Sequence, residues 1–427
     1  TQKCNSLFMK ILAMMLGKES IQEMSYITGS SLIASRILMT KSHSVQYLDT
    51  LPAYNAFLTE LNQVNEIALD LEFDRNRYGY GFQLCLIQCR VQSTCYIIDP
   101  LLLENNLKEF YTYLEDPKHS IICFSFGEDF RLLNSLGCNI TTVRDLDIGL
   151  SLINEAKQSL VNQISSRLGV QTSKSSQTSN WLIRPLSAKQ LQYASEDVLY
   201  LFELRDSVIE ELHSKNRYSW FEQENDWLYS VESNQPENLN KINVKPKDLD
   251  GLNEIQGYTF KKLFEWRDLQ AKNMGKPPFQ IIDNHFLKLL TQKHALVNNW
   301  KNERAVHYSL RNSSIQAVIS QQLSSSIEEA ITLGLDSTKP ANSPLTPDEY
   351  EELKKDQKVI KEAKKKVFGT LKDALVKLYG KNVQSYILSN RVIQDLALGK
   401  AQLPRYRIEL FRQLSTEYSL EIESYLD

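Results

Sequence analysis

Apolar positions cluster rather than spread along this chain. IALDLEF (67–73), FQLCLIQC (82–89) and CYIIDP (95–100) are dense apolar runs, separated by the turn-formers Tyr78-Gly79-Tyr80-Gly81 and Gln92-Ser93-Thr94. They predict three successive strands paired as a meander. NNLKEFYTYLED (105–116) predicts a helix, SIICFSF (120–126) a buried strand, EDFRLLNSL (128–136) a short helix, and TTVRDLDI (141–148) a candidate last strand. Strands that first pair and then alternate with helices imply an α/β domain with a mixed sheet. In LSAKQLQYASEDVLYLFEL (186–204), Ser187 followed by Gln190 forms a capping box that marks a helix start. From Val244 onward the apolar spacing is three and four, which predicts helices only.

Composition narrows the class. With 42% hydrophobic and 24% charged residues in 427, a packed core is affordable and global disorder is excluded. Lys+Arg 49 against Asp+Glu 52 excludes a uniformly basic coat. No run approaches the ~18 apolar residues of a membrane span. The six cysteines follow neither C-x-x-C nor a zinc spacing, and read as reduced core residues of a cytoplasmic protein.

Charge and linker composition divide the chain. Residues 44–220 hold 15 Lys/Arg and 22 Asp/Glu, net −7; 244–330 are net +3 and 345–427 net +2. QPENLNKINVKPK (235–247) and DSTKPANSPLTPDE (336–349) read as linkers. The expected organisation is an extension over 1–43, poorly ordered; an α/β domain over 44–220; a linker over 221–247; a helical domain over 248–335; a linker over 336–347; and a second helical domain over 348–427. The apolar run Phe8–Leu16 makes only a weak signal segment, with one Lys before it and no small-residue cleavage site.

Three features carry candidate chemistry. Asp70 and Glu72 sit two apart in an apolar strand, so both carboxylates fall on one face. Like charges buried together cost heavily unless a cation compensates, and hard divalent cations take oxygen ligands. The pair is therefore either half of a metal site or a strand end with solvated acids. Asp129 follows a buried strand, where α/β sheets bind ligands, but it also suits a first-turn helix acid, as Glu128 does. Tyr193 and Asp197 are four apart, on one helix face, beside small Ala194 and Ser195. They read as a working pair or as a solvated surface pair.

In order, these features are D-x-E, an Asp 57 residues on, and Y-x-x-x-D beginning 64 further. The pattern resembles the DEDDy branch of the DEDD 3′–5′ exonucleases. IALDLEF, LCLIQC, IIDPL, GEDFRLL and KSSQTSNWLIRPLSAKQLQYASEDVLYL are similar to the blocks of the ribonuclease D family over roughly 45–215. One departure is Phe124, where relatives often carry His, and Asn180 stands where many carry Asp. Asp145 and Asp147 fall outside the motifs and read as structural or rim residues.

The resemblance implies an RNase H-like fold and a metal-dependent exoribonuclease that releases nucleoside 5′-monophosphates, using two divalent ions, Mg²⁺ or Mn²⁺. Asp70, Glu72 and Asp197 would hold the ion carrying the attacking water. Asp70 would bridge to a second ion supported by Asp129, and Tyr193 would orient the water. Lys174, Trp181 and Arg184 are candidates for substrate contacts. RNA 3′ ends, and tRNA precursors among them, are the implied partners of a monomer without a nucleotide cofactor. A DNA 3′–5′ exonuclease and a nucleic-acid-binding protein with a dead site are the rivals.

YTFKKLFEWRDLQAKNMGKPPFQIIDNHFLKLL (258–290) resembles the opening helices of an HRDC domain, and VQSYILSNRVIQDLALGK (383–400) the later half of a second. Lys261, Lys262, Arg267, Lys272 and Lys276 form a candidate basic face, and Trp266 a core anchor. Both helical modules are expected to be separable, so that removing 244–427 spares cleavage of short strands.

Overall fold

The computed structural model describes residues 37–40, 43–172, 179–230, 244–342 and 347–426, all within the compact unit Ile37–Asp427. The apolar runs form part of one mixed, seven-stranded sheet of order β1-β2-β5-β4-β3-β6-β7. Its strands are β1 (Ile37–Thr40), β2 (His43–Leu48), β3 (Glu66–Arg75), β4 (Phe82–Val91), β5 (Thr94–Ile98), β6 (Ser120–Cys123) and β7 (Val143–Asp145). The meander β3-β4-β5 is antiparallel, as its short turns require, while β6 and β7 join parallel to β3. β4 is buried along nearly its whole length, in keeping with its dense apolar sequence, and takes Gln88 and Arg90 inside with it. The helices of this domain are α1 (Leu51–Leu61), α2 (Lys108–Glu115), α3 (Gly127–Ser135), α4 (Leu146–Leu152), α5 (Leu160–Leu168), α6 (Ala188–Leu199), α7 (Leu201–Ser214) and α8 (Tyr218–Leu228).

Four expectations are corrected. The sheet begins inside the stretch read as an extension to residue 43, since Ile37–Thr40 pairs with His43–Gln46; residues 1–36 lie outside the described residues. SIICFSF stops being strand at Cys123, because Ser125 adopts a left-handed φ of 55°. TTVRDLDI splits into a three-residue strand and helix α4, with the Asp145 carboxylate accepting from Asp147 N–H as an N-cap. The linker expected from residue 221 starts as helix, since α8 buries Phe221, Glu224 and Asn225.

The first helical module contains α9 (Glu254–Met274), α10 (Pro278–Ile281), α11 (Asn284–Gln292) and α12 (Ser313–Thr332) around a fully buried Trp300. Trp266 packs against this core only partly buried. The segment at 336–342, expected as linker, closes the module: Ala341 N–H donates to Leu252 O at 2.7 Å and Glu254 N–H to Lys339 O at 2.9 Å. Arg267 leaves the basic face, because it is buried with its guanidinium donating to Ile282 O and Asn284.

The second helical module contains α13 (Pro347–Ala363), α14 (Gly369–Tyr379), α15 (Lys381–Ile387), α16 (Asn390–Ala397) and α17 (Arg405–Glu417). It is not separable. Phe368, Leu375, Ile387 and Phe411 belong to the same apolar core as the sheet. Glu224 on α8 and Arg407 on α17 form a buried bidentate ion pair, with one N–O distance of 2.7 Å. Both tyrosines nearby, Tyr406 and Tyr386, also donate to Glu224.

Candidate active site

β3 presents Asp70 and Glu72 on one face, directly across from Gln88 and Leu86 of β4. Helix α6 lies over that face and adds Asp197. Carboxylate oxygens of Asp70, Glu72 and Asp197 all fall within 4.8 Å of one another. Asp129, buried in the first turn of α3, stands outside this trio yet feels it: after burial, the Asp70 carboxylate is what raises it most. Tyr193, one turn before Asp197, donates its hydroxyl to the Asp197 carboxylate.

Electrostatics distinguish this cluster from solvated acids. Burial raises Asp70 to about 7. Burial and then the neighbouring carboxylates push Glu72, Asp129 and Asp197 well above the usual range. The α3 macrodipole favours an ionised Asp129 by only ~1 kcal/mol, and burial beside other acids outweighs it. The main influences on the four are burial and one another, with no basic side chain among them. Hard oxygen donors, crowded at a half-buried site and uncompensated, fit divalent cations. Glu128 behaves as the decoy its exposure suggests, paired with Arg75 at 2.7 Å and with Arg131.

The candidate substrate residues part ways. Lys174 lies outside the described residues. Trp181 is buried, its ring 6.1 Å from that of Tyr193, so it braces the phenol from inside rather than offering a surface for a base. Arg184 is corrected from a phosphate contact to an internal strut. Its guanidinium donates to both oxygens of fully buried Asp99 and to the carbonyls of Trp181, Ile183 and Cys85, which engages all three nitrogens. Phe124 packs half-buried against the core.

Asp145 is structural, one of the two options its sequence position left open: buried, it accepts from Ser125 N–H, Phe126 N–H and the Tyr229 hydroxyl, fixing the turn that delivers Asp129. Another supporting residue, Arg90, escaped the sequence reading. Arg90 donates to Leu199 O, at the end of α6, and holds Glu203 with bonds of 2.6 and 2.8 Å. A charge at the end of an apolar run was the available signal for Arg90. The five described cysteines are buried and unpaired, as expected of reduced core residues. No helix among the described residues is long and apolar enough to cross a membrane.

Residues 45–213 match the family described as 3′–5′ exonuclease. A ribonuclease D of Xanthomonas oryzae is 30% identical over 235 residues, covering 53% of this chain and 62% of its own length. An exosome complex component 10 homolog of Drosophila melanogaster is 26% identical, with 56% of this chain and 27% of its own length covered. The chain thus spans less than two thirds of these curated relatives. The crystal structure of Escherichia coli RNase D shares the fold at 20% identity and a TM-score of 0.57, covering 88% of this chain and 99% of that one. Over residues 45–213 the chain is accordingly similar to 3′–5′ exonuclease domains, those of ribonuclease D and exosome component 10 among them.

Proposed function

We propose that this chain is a ribonuclease D-like 3′–5′ exoribonuclease that hydrolyses the terminal phosphodiester of RNA 3′ ends and releases nucleoside 5′-monophosphates. One observation carries the reading: three carboxylates converge within 4.8 Å, with Asp129 raised by Asp70 and no basic side chain among the described residues that offsets them. Asp70, Glu72 and Asp197 would hold one divalent ion, and Asp70 with Asp129 a second, Mg²⁺ or Mn²⁺. When bound, such ions lower the pKa of water and neutralise charge on the phosphate and the leaving oxygen. The protein's own contribution is alignment. Tyr193, held by Asp197 and braced by Trp181, orients the attacking water through its hydroxyl. Burial and the surrounding acids raise its phenol far above neutral pH, which argues for orientation over proton abstraction.

RNA is preferred to DNA as substrate because the curated relatives include enzymes named ribonuclease D. Within RNA we propose tRNA precursors with extended 3′ ends as the specific class, as the ribonuclease D resemblance of the sequence implies; the Escherichia coli RNase D is described as involved in structured RNA processing. The test is digestion of 5′-labelled RNA, matched DNA, and tRNA with a 3′ extension, in Mn²⁺ or Mg²⁺. The expected result is stepwise shortening of RNA with release of 5′-monophosphates. Asp70→Asn should abolish it, and Tyr193→Phe should lower turnover on the order of 10²–10⁴-fold. Faster loss of DNA would reassign the substrate, and an Asp70→Asn variant within tenfold of the parent would sink the site.

A further inference from the structure

Gln88 sits mid-strand in β4 with no exposed surface. Neither polar atom of its side-chain amide, Nε2 or Oε1, has a hydrogen-bond partner among the described residues. Buried amides are nearly always bonded, and leaving one unpaired costs roughly 1–3 kcal/mol. Its neighbours along the strand, Leu86, Ile87 and Cys89, are wholly apolar, so an apolar residue here would cost nothing in packing.

The register shows what this amide faces. Gln88 pairs directly with Asp70. Residues opposed in this way share a sheet face, with Cβ atoms roughly 4.5–5.5 Å apart. Helix α6 roofs the same face, since Cys95, which shares it, contacts Ser195 O at 3.9 Å. The amide is therefore enclosed between the sheet and the helix that carries Tyr193 and Asp197.

Asp70 has few other donors. Leu71 N–H is one. Glu72, Asp129 and Asp197 cannot donate once ionised, and the Tyr193 hydroxyl is committed to Asp197. A carboxylate has about four lone-pair sites, more than two cations and one N–H occupy.

We propose that Gln88 is a positioning residue for the metal centre: its amide N–H, unpaired in the metal-free protein, would donate to the Asp70 carboxylate once the ions are bound and fix its orientation toward them. The inference rests on the two-metal reading above. Groups that orient a metal ligand in this way typically contribute 10–100-fold in metal affinity.

The test is Gln88→Met, a nearly volume-conserving change, read by two measurements on the full chain. The first is Mn²⁺ affinity, from the EPR signal of free Mn²⁺. The second is melting temperature in EDTA. Removing an unpaired buried amide should leave metal-free melting unchanged or raise it, while Mn²⁺ affinity falls 10–100-fold. Mn²⁺ affinity within threefold of the parent would overturn the proposal. So would a variant that fails to fold or melts lower in EDTA, because the amide would then be bonded within the metal-free core. If the parent binds no more Mn²⁺ than Asp70→Asn does, the metal reading itself fails. A parent that binds, beside an equally binding Gln88→Met, fails this inference alone.

Discussion

Asp70, Glu72, Asp129 and Asp197 are stable together only while some of them are protonated or a cation is present. Their carboxyls stand above their ordinary values, Asp70 at about 7, because burial and mutual repulsion oppose ionisation. An unfolded chain restores ordinary values near 4. A raised folded pKa favours the native state below the unfolded pKa, and that contribution is lost as pH rises through the folded value. Metal-free protein should therefore melt at progressively lower temperature between about pH 5 and 8, and saturating Mn²⁺ should remove most of that decline. Asp70→Asn should flatten it as well. Melting curves in EDTA and in Mn²⁺ across this range check the point, and a metal-free melting temperature that climbs toward pH 8 would contradict it. Asp145 shows the contrast: more deeply buried, it is raised by burial but held by the Tyr229 hydroxyl and three backbone N–H groups, so it needs no cation.

Helix α6 delivers both Tyr193 and Asp197, and its two ends were unequally legible. The start was readable because a capping box is local: Ser187 and Gln190 satisfy each other's backbone N–H groups, as their spacing predicts. Ser187→Ala should cost ~1 kcal/mol in urea denaturation, with little effect on Mn²⁺ affinity. A loss below ~0.3 kcal/mol would mean that tertiary packing alone holds this end. The other end was not readable, because Arg90 reaches Leu199 O across 109 positions of sequence. The same distinction explains the strands. The runs of β3, β4 and β5 announce themselves by apolar density, whereas β6 ends early because Asp145, 20 residues later, captures Ser125 N–H. Candidate chemistry was legible where spacing encodes a shared face, as for Asp70 with Glu72 and Tyr193 with Asp197. Arg184 and Trp181 were misread because motif membership does not say which way a side chain faces.

At the level of the whole molecule, the two helical modules relate differently to the catalytic domain. The last one completes its core, and removing residues 348–427 would strip Phe368, Leu375 and Phe411 from it and leave Glu224 buried without Arg407. Breaking a buried pair from one side costs ~3–5 kcal/mol, so truncation measures folding rather than RNA binding. The first module has its own core and reaches the β3–β4 turn through the Tyr80 hydroxyl, which donates to Asp268 at 2.6 Å. Its contribution to RNA is best tested by charge alone. Of the five basic residues expected on one face, Arg267 is buried and Lys262 is paired with Glu329 at 3.2 Å, leaving Lys261, Lys272 and Lys276. The sequence between residues 44 and 220 is net −7 and repels phosphate, so backbone contacts have to come from elsewhere. Each phosphate contact on a single strand contributes roughly 0.7 to the slope of log affinity against log salt. Replacing the three lysines by Gln should flatten that slope by about 2 on a tRNA-sized RNA, measured in Ca²⁺ to block turnover. Melting temperature and cleavage of short oligomers should change little, since none of the three is buried in the core or among the influences on the four acids. Identical slopes would make this face plain solvated surface and leave the module a stabilising or protein-docking unit.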